Sequence, residues 1–211
     1  AIAFGLIFVF YLITGGKSYY VAGMYPVLLA AGGRWFDDLR DGRREQMFSS
    51  ARIAIVVGAF IALPLVPASW VSHVDVTGEL GETVGWPQLI DQVSAVYQSI
   101  PENQRSATAI FTGSYGEAGA VDVLGADAGL PAASSGHNSY WLWGPPETHG
   151  PIIGVGYVET TLRSICPDLQ RVGTITNPYG VENEEAGLPL LLCLDPDRQL
   201  ADIWPDVRHY N

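Results

Sequence analysis

The residues best suited to bind a phosphate surround Lys17, the only lysine of the sequence. Tyr19, Tyr20 and Tyr25 follow it closely. If this segment lies at a membrane surface, the ammonium group and the phenol hydroxyls suit a lipid-linked phosphate. The same pattern is typical of a lysine that extends to the lipid headgroups within a belt of tyrosines. The residues alone slightly favour that second interpretation.

A glycine-rich segment, residues 113–119, carries the sequence GSYGEAG between a predicted strand and a predicted helix. Glycines allow a tight turn and a close approach of the backbone, and free amides at a helix N-terminus bind phosphate. The spacing is GxxGxxG, whereas dinucleotide-binding turns carry GxGxxG. Glu117 also stands where an anion would bind and would repel it. The pattern therefore favours a tight strand–helix turn over a phosphate site.

The densest group of polar and aromatic side chains lies in residues 134–146, SSGHNSYWLWGPP. This segment follows a predicted strand, where open α/β sheets bind ligands. Aromatic rings stack on sugar rings, and histidine and asparagine bond hydroxyl groups. An aromatic plug that packs the loop onto the sheet or the membrane interface is an equally good interpretation. The candidate contacts to a sugar or an acceptor are His137, Asn138, Tyr140, Trp141 and Trp143.

An acidic, turn-rich segment, residues 177–187, offers carboxylates and asparagines of the kind that bind Ca²⁺. It lacks the fixed alternation of ligands that calcium loops carry, so a solvated loop between two strands is the better interpretation. The four histidines and two cysteines show no zinc-binding spacing. We therefore assign no metal-binding residue. The GxSxG and Walker motifs are missing from the sequence as well.

Charge is divided unevenly along the chain. The 211 residues have a net charge of −11, and only 16% of them are charged. Residues 1–71 contain six Lys or Arg and four Asp or Glu, whereas residues 72–211 contain five and eighteen. A strongly acidic region repels phosphates, so we exclude nucleic acid as a partner.

Long apolar runs in the first third of the chain predict membrane helices. Residues 1–14, 19–33 and 53–71 carry no charged side chain. A hydrocarbon core of about 30 Å needs about twenty residues of helix, which the third run nearly supplies. The arginine-rich segment 34–52 belongs in the cytoplasm by the positive-inside rule. We predict two to three transmembrane helices over residues 1–71, with a soluble hairpin as the alternative.

Residues 72–211 alternate between short apolar runs and amphipathic segments, which predicts an extracytoplasmic α/β domain. Apolar runs of four to eight residues suit strands buried on both faces, and so a mainly parallel, Rossmann-like sheet. Cys166 and Cys193 lie in this domain, and either a disulfide or two buried thiols would suit it. The predicted helices are 86–100, 116–124, 160–166 and 198–204, and the predicted strands are 107–112, 132–135, 151–158, 172–176 and 188–194.

Four segments together resemble one group of membrane enzymes. They are GKSYYVAGMYP at 16–26, IFTGSYGEAGAVD at 110–122, SGHNSYWLWGPP at 135–146 and NPYGVENEEAG at 177–187. In this order they resemble the C-terminal part of bacterial family 39 glycosyltransferases (the GT-C group of protein mannosyltransferases and aminoarabinose transferases). The resemblance covers most of the chain.

The resemblance implies a multi-pass protein of the bacterial cell membrane, with residues 72–211 outside the cytoplasm. It implies transfer of a sugar from a polyprenyl-phosphate donor to an acceptor glycan, lipid or protein, with or without a divalent metal. The lipid-phosphate contacts would be Lys17, Tyr19, Tyr20 and Tyr25. The family's catalytic acid lies in the first outer loop, which would precede Ala1. We therefore expect a longer protein, no catalytic residue in this chain, and no activity from the chain alone.

A membrane-anchored module without catalysis is the alternative function. In this case the α/β domain holds a sugar or a nucleotide at residues 113–119 and 137–143. A third interpretation is a structural domain that only packs on neighbouring helices.

Overall fold

The computed structural model describes residues 2–15, 18–37, 41–62, 67–74 and 80–210. The chain forms two compact units, Ala1–Leu65 and Val66–Asn211, which we call the helical unit and the α/β unit. The predicted boundary lies after residue 71. The structure assigns Val71 to the α/β unit, where it packs against Val84 and Val181.

Within its described residues, the helical unit has three α-helices, α1 (Ile2–Thr14), α2 (Tyr25–Asp37) and α3 (Asp41–Ala62), and a 3-10 helix over Ser18–Met24. None of the helices in the described ranges is both long enough and apolar enough to cross a membrane. The prediction of two to three transmembrane helices is therefore wrong. Helix α1 has only 13 residues, and α3 reaches 22 by including the arginine-bearing residues 41–52.

The α/β unit contains all the helices and strands that the sequence predicts between residues 86 and 204. The observed bounds differ from the predicted ones by a few residues. Its strands are β1 (Ala109–Thr112), β2 (Ala133–Ser135), β3 (Ile152–Val155), β4 (Gln170–Thr174) and β5 (Pro189–Cys193). Its α-helices are α4 (Val71–Val74), α5 (Trp86–Ser99), α6 (Glu102–Arg105), α7 (Tyr115–Leu124), α8 (Glu159–Arg163) and α9 (Leu200–Ile203). Short 3-10 helices cover Ala68–Trp70, Gly81–Thr83, Asn138–Trp143 and Trp204–Val207.

The five strands form one mixed sheet in the order β2-β1-β3-β5-β4. Strand β1 is parallel to β2 and β3, whereas β5 is antiparallel to β3 and β4. The prediction of a mainly parallel, Rossmann-like sheet is therefore wrong. Parallel neighbours need a crossover, usually a helix, but β4 and β5 are joined by a loop that contains no helix.

Both faces of the sheet are buried. One face packs against α5 and α7 through a cluster that includes Leu89, Val93 and Ile153, and the other packs against α8 and α9 through Leu162 and Ile203. Alternate residues of β5 enter the two clusters. The unbroken apolar run of β5 thus reflects burial on both faces and does not require parallel neighbours.

Cys166 and Cys193 form a disulfide, with an S–S distance of 2.01 Å and 6.1 Å between their Cα atoms. The bond joins the segment after α8 to the end of β5, inside the cluster under α8 and α9. This settles the question that the sequence leaves open.

Candidate functional site

The carboxyl ends of β1 and β3 meet in a crevice. In the sheet, β2 lies on one side of β1 and β3 lies on the other, so the chain crosses over β1 between these two strands. Open α/β sheets bind ligands at such a reversal of the strand order. The turns after the two strands touch, since a Cβ on Gly113 would lie 2.8 Å from the amide nitrogen of Tyr157. Gly156 has a φ of +78°, so both turns depend on glycine.

The side chain of Glu117 fills this crevice. Its exposure is 2%, and a Cβ on Gly156 would collide with its Oε1. The Ser114 amide donates to Glu117 Oε2 at 2.9 Å, and the Glu117 amide donates to Ser114 Oγ at 3.1 Å. This reciprocal pair is a capping box at the start of α7.

The start of α7 does not suit a phosphate. The Tyr115 amide donates to His137 Nδ1 at 3.3 Å, and the amides of Ser114 and Glu117 bond as described above. Three amides that a phosphate would need are thus bonded to side chains of the protein. The geometry agrees with the preference for a strand–helix turn over a phosphate site.

Two histidines close the outer side of the same turn. His137 is buried, and its ring lies 4.9 Å from that of Tyr115 and 4.8 Å from that of His209. His209 Nε2 lies 3.0 Å from the carbonyl oxygen of Gly113, and its Nδ1 lies 2.9 Å from that of Val207. Both partners are carbonyl oxygens, so a ring nitrogen of His209 that carries a hydrogen donates to the carbonyl beside it. No pattern around His209 in the sequence indicates this role.

A cleft opens on the other side of α7, and we call it the Trp86 cleft. The edge of the Trp86 indole lies against Gly116, where an added Cβ would be 3.3 Å from Cη2. The enclosed part of this cleft is small, with a volume of about 10 Å³, which is room for about one water molecule. Its lining residues are Val84, Gly85, Trp86, Leu89, Ile175, Thr176, Asn177, Asn183, Glu185 and Ala186.

Glu117 and Glu185 are two carboxyl groups whose pKa values are raised. Burial raises the pKa of Glu117 to about 7; the Ser114 amide opposes this shift, and the charge of Glu185 adds to it. Burial also raises the pKa of Glu185 to about 7, with a further contribution from Glu82 and Glu184. Carboxyl groups that titrate near neutrality beside a cleft can donate or accept a hydrogen bond at physiological pH. The sequence analysis missed Glu185, because no local signal separates it from Glu184.

The predicted sugar contacts all lie on the loop after β2, but they differ in exposure. His137 is buried, and Trp141 is held in a reciprocal pair with Trp204: each indole N–H donates to the other's carbonyl, at 2.9 and 3.1 Å. The Arg208 guanidinium lies 4.2 Å from the Trp141 ring centre. His137 and Trp141 therefore anchor the loop.

Tyr140 and Trp143 reach the surface of that loop. Trp143 is 71% exposed, and its ring lies 4.4 Å from that of Tyr140. The Tyr140 hydroxyl donates to Asp122 Oδ2 at 2.9 Å, and burial together with this bond raises the pKa of Tyr140 to about 12. Asn138, half-buried, has a φ of +51° and is the one non-glycine residue with a positive φ in the described ranges.

The predicted lipid-phosphate contacts lie in the helical unit. Lys17 is outside the described residues. Tyr19, Tyr20 and Tyr25 are exposed, and the rings of Tyr19 and Tyr20 meet edge to face at 5.0 Å. Over the part of the chain that the structure describes, no three His, Cys, Asp or Glu side chains come together as a metal site.

Known proteins do not add to this picture. The family resemblance therefore rests on the four sequence segments, and the candidate site rests on its own geometry. No protein-family model, no curated protein and no solved structure matches the chain.

Proposed function

We propose that this chain is part of a bacterial glycosyltransferase like those of family 39, and that its α/β unit binds the carbohydrate acceptor. In this proposal the enzyme moves a sugar from a polyprenyl-phosphate donor. The observation that carries the proposal is a pair of contacting aromatic rings, exposed Trp143 and half-buried Tyr140, at the carboxyl end of the parallel strands. Rings in such a position offer the flat apolar face on which a sugar ring stacks.

The aromatic pair is held in place before any ligand arrives. Asp122 fixes the Tyr140 hydroxyl, and the Trp141–Trp204 pair fixes the loop between them. A prearranged surface loses less conformational entropy on binding than a mobile one. The strained backbone of Asn138 next to this surface is a further feature common at ligand sites.

The disulfide supports an extracytoplasmic location for the α/β unit. Bonds such as Cys166–Cys193 form and persist in oxidising compartments. Polyprenyl-phosphate sugars are used on that side of the membrane in the family that the sequence resembles. The oxidising compartment that the disulfide favours is therefore compatible with the proposed polyprenyl-phosphate donor.

Carbohydrate binding is tested by titrating the purified chain with short oligosaccharides of glucose, mannose and galactose, followed by tryptophan fluorescence. We expect Trp143→Ala to weaken binding about tenfold, since a stacked ring contributes on the order of 1 kcal/mol or more. Trp70→Ala, at another exposed tryptophan of the same unit, is the matched control and should bind like the unchanged chain. Equal binding by Trp143→Ala and the unchanged chain would contradict the proposal.

Transfer, as opposed to binding alone, is tested at Lys17 in the complete protein. We expect Lys17→Ala to abolish transfer from a polyprenyl-phosphate sugar, because the leaving phosphate loses its counter-charge. Carbohydrate binding by the α/β unit should stay unchanged. Full transfer by this variant would remove Lys17 from the site and favour the alternative of a binding module without catalysis.

A further inference from the structure

Arg208 differs from the other arginines of the α/β unit. Residues 72–211 contain five arginines. Four of them donate to a carbonyl, a hydroxyl or a carboxylate of the unit: Arg105, Arg163, Arg171 and Arg198. The exposed side chain of Arg208 makes no hydrogen bond and no ion pair with any residue in the described part of the chain.

Two aromatic rings hold the guanidinium group of Arg208 in place. Its Cζ lies 4.2 Å from the centre of the Trp141 ring and 5.1 Å from that of the Tyr210 ring. Trp141 is itself fixed by its reciprocal bonds with Trp204. A ring attracts the cation, but it does not satisfy the N–H donors as a carbonyl or a carboxylate does. The positive charge is thus positioned while its donors stay available.

The acidic side chains of the α/β unit do not neutralise Arg208. Residues 72–211 contain eighteen Asp or Glu, and exposed Asp206 stands only two positions before Arg208. An arginine that balances local charge pairs with such a carboxylate, as Arg163 does with Glu159 at 2.6 Å. Over the described residues no carboxylate pairs with Arg208 in this way. Its charge is therefore available to an anionic group from outside.

Arg208 lies beside the aromatic loop of the proposed function. Trp141, which contacts the guanidinium, belongs to the 3-10 helix Asn138–Trp143 together with Tyr140 and Trp143. Residues three apart share one side of a 3-10 helix, so Tyr140 and Trp143 lie together and Trp141 lies on the adjoining side. The cation and the proposed sugar surface thus adjoin on one short helix.

We infer that Arg208 binds an acidic group, a carboxylate or a phosphate, of the carbohydrate that the aromatic loop holds. A guanidinium presents parallel N–H groups that match two oxygens of either anion, and the bonds are strong because both partners are charged. The acceptor is thereby narrowed to an acidic carbohydrate. The inference rests on the proposed function for the carbohydrate, whereas the anion site depends on Arg208 alone.

The test is a titration of the full chain, labelled with ¹⁵N at its tryptophans, with three glycosides of the same ring. Methyl β-D-glucopyranoside is neutral, methyl β-D-glucuronide carries a carboxylate, and the phosphate ester of the first on its primary hydroxyl carries a phosphate. The indole signals of Trp141 and Trp143, assigned with Trp141→Phe and Trp143→Phe, report the two neighbouring positions. We expect at least one acidic glycoside to bind about tenfold more tightly than the neutral one. The tighter of the two identifies the anion.

Three variants assign the preference to Arg208. Arg208→Gln should bring the acidic glycosides to the affinity of the neutral one. Arg208→Lys keeps the charge but loses the parallel N–H groups, so it should reduce the preference about threefold. Arg198→Gln, at another exposed arginine of the unit, is the matched control and should keep the full preference. An unmoved Trp86 signal shows that a variant is folded, and Arg208→Lys decides the question if Arg208→Gln does not fold.

Each other outcome overturns a defined statement. Equal binding of acidic and neutral glycosides, with a shift of Trp143, refutes the inference and leaves the proposed function intact. A preference that survives Arg208→Gln refutes the role of Arg208. A shift of Trp141 by the acidic glycosides without any shift of Trp143 keeps the anion site and contradicts the aromatic surface. No shift with any of the three glycosides refutes both.

Discussion

Glu117 and Glu185 have the same pKa of about 7 for the same main reason, which is burial, but they differ in their hydrogen bonds. Glu117 accepts the amide of Ser114, and its carboxyl group is wedged against Gly156. Glu185 has one oxygen without a partner, at the wall of a cleft. A raised pKa alone therefore does not distinguish a carboxyl group that accepts a hydrogen bond and caps a helix from one that keeps an oxygen without a partner; the hydrogen bonds do.

The largest expected effect tests the structural role of Glu117. Gly156→Ala should lower the free energy of unfolding by about 4 kcal/mol, because the new methyl group collides with Glu117 and φ is +78°. Urea denaturation measures the loss. Gly129→Ala is the matched control, since its φ is +72° but nothing lies within 4 Å of the added Cβ, and it should cost only about 1 kcal/mol. Equal losses would show that Glu117 is not wedged in the crevice.

The next effect concerns pH. With a folded pKa of about 7 against 4.5 in the unfolded chain, Glu117 binds more protons when folded, so its contribution makes stability fall as pH rises through this window. The shift corresponds to about 3 kcal/mol. Glu117→Gln, which keeps the capping box, should therefore gain stability over the unchanged chain between pH 4.5 and pH 7 and hold the gain above. Urea denaturation at several pH values measures it, with Glu182→Gln as control; a constant difference would refute the shift.

A smaller effect separates the two glutamates through the cap of α7. Ser114→Ala removes one partner of the capping box and should cost about 1 kcal/mol in the free energy of unfolding. Thermal denaturation measures it, and exposed Ser139→Ala serves as the control. The pKa of Glu185 should not change in Ser114→Ala, because Glu185 takes no part in the cap. A changed pKa of Glu185 would mean that the two carboxyl groups work as one unit.

The smallest expected effect tests how much the charge of Glu82 contributes to the raised pKa of Glu185. Glu82→Gln should lower the pKa of Glu185, whose charge is disfavoured by that of Glu82. The pKa of Glu117 should change less, and the free energy of unfolding should stay within about 0.5 kcal/mol. Carbon-detected NMR titration of the glutamate side chains measures both pKa values. An unchanged pKa for Glu185 would exclude Glu82 as a cause.

The elements of the α/β unit could be predicted from local patterns, whereas their arrangement could not. The apolar run of β5 correctly indicates a strand buried on both faces. Its direction depends on the loop after β4, which turns back through hydrogen bonds of Asn177 and contains no helix. Nothing in the apolar run itself indicates whether the strand is parallel or antiparallel to its neighbours.

The candidate site shows the same limit. Periodicity and glycine spacing place Glu117 in a strand–helix turn, and this interpretation agrees with the capping box. Glu185 and His209 could not be identified, because their surroundings come from residues far away in the chain, such as Glu82 and Gly113. The apolar content of residues 53–71 predicts one span, but the structure divides these residues between the two units.

The bond between His209 and Gly113 joins residues 96 positions apart. A ribosome makes β1 and α7 well before it makes the segment that covers them. Until residues 204–209 emerge, His137 lacks the ring that stacks on it, and the aromatic loop lacks its Trp204 anchor. Contacts between such distant residues form late in folding. The edge of the sheet at the carboxyl ends of β1 and β3 is therefore among the last parts of the α/β unit to reach its final structure during synthesis, long after β1 itself can form.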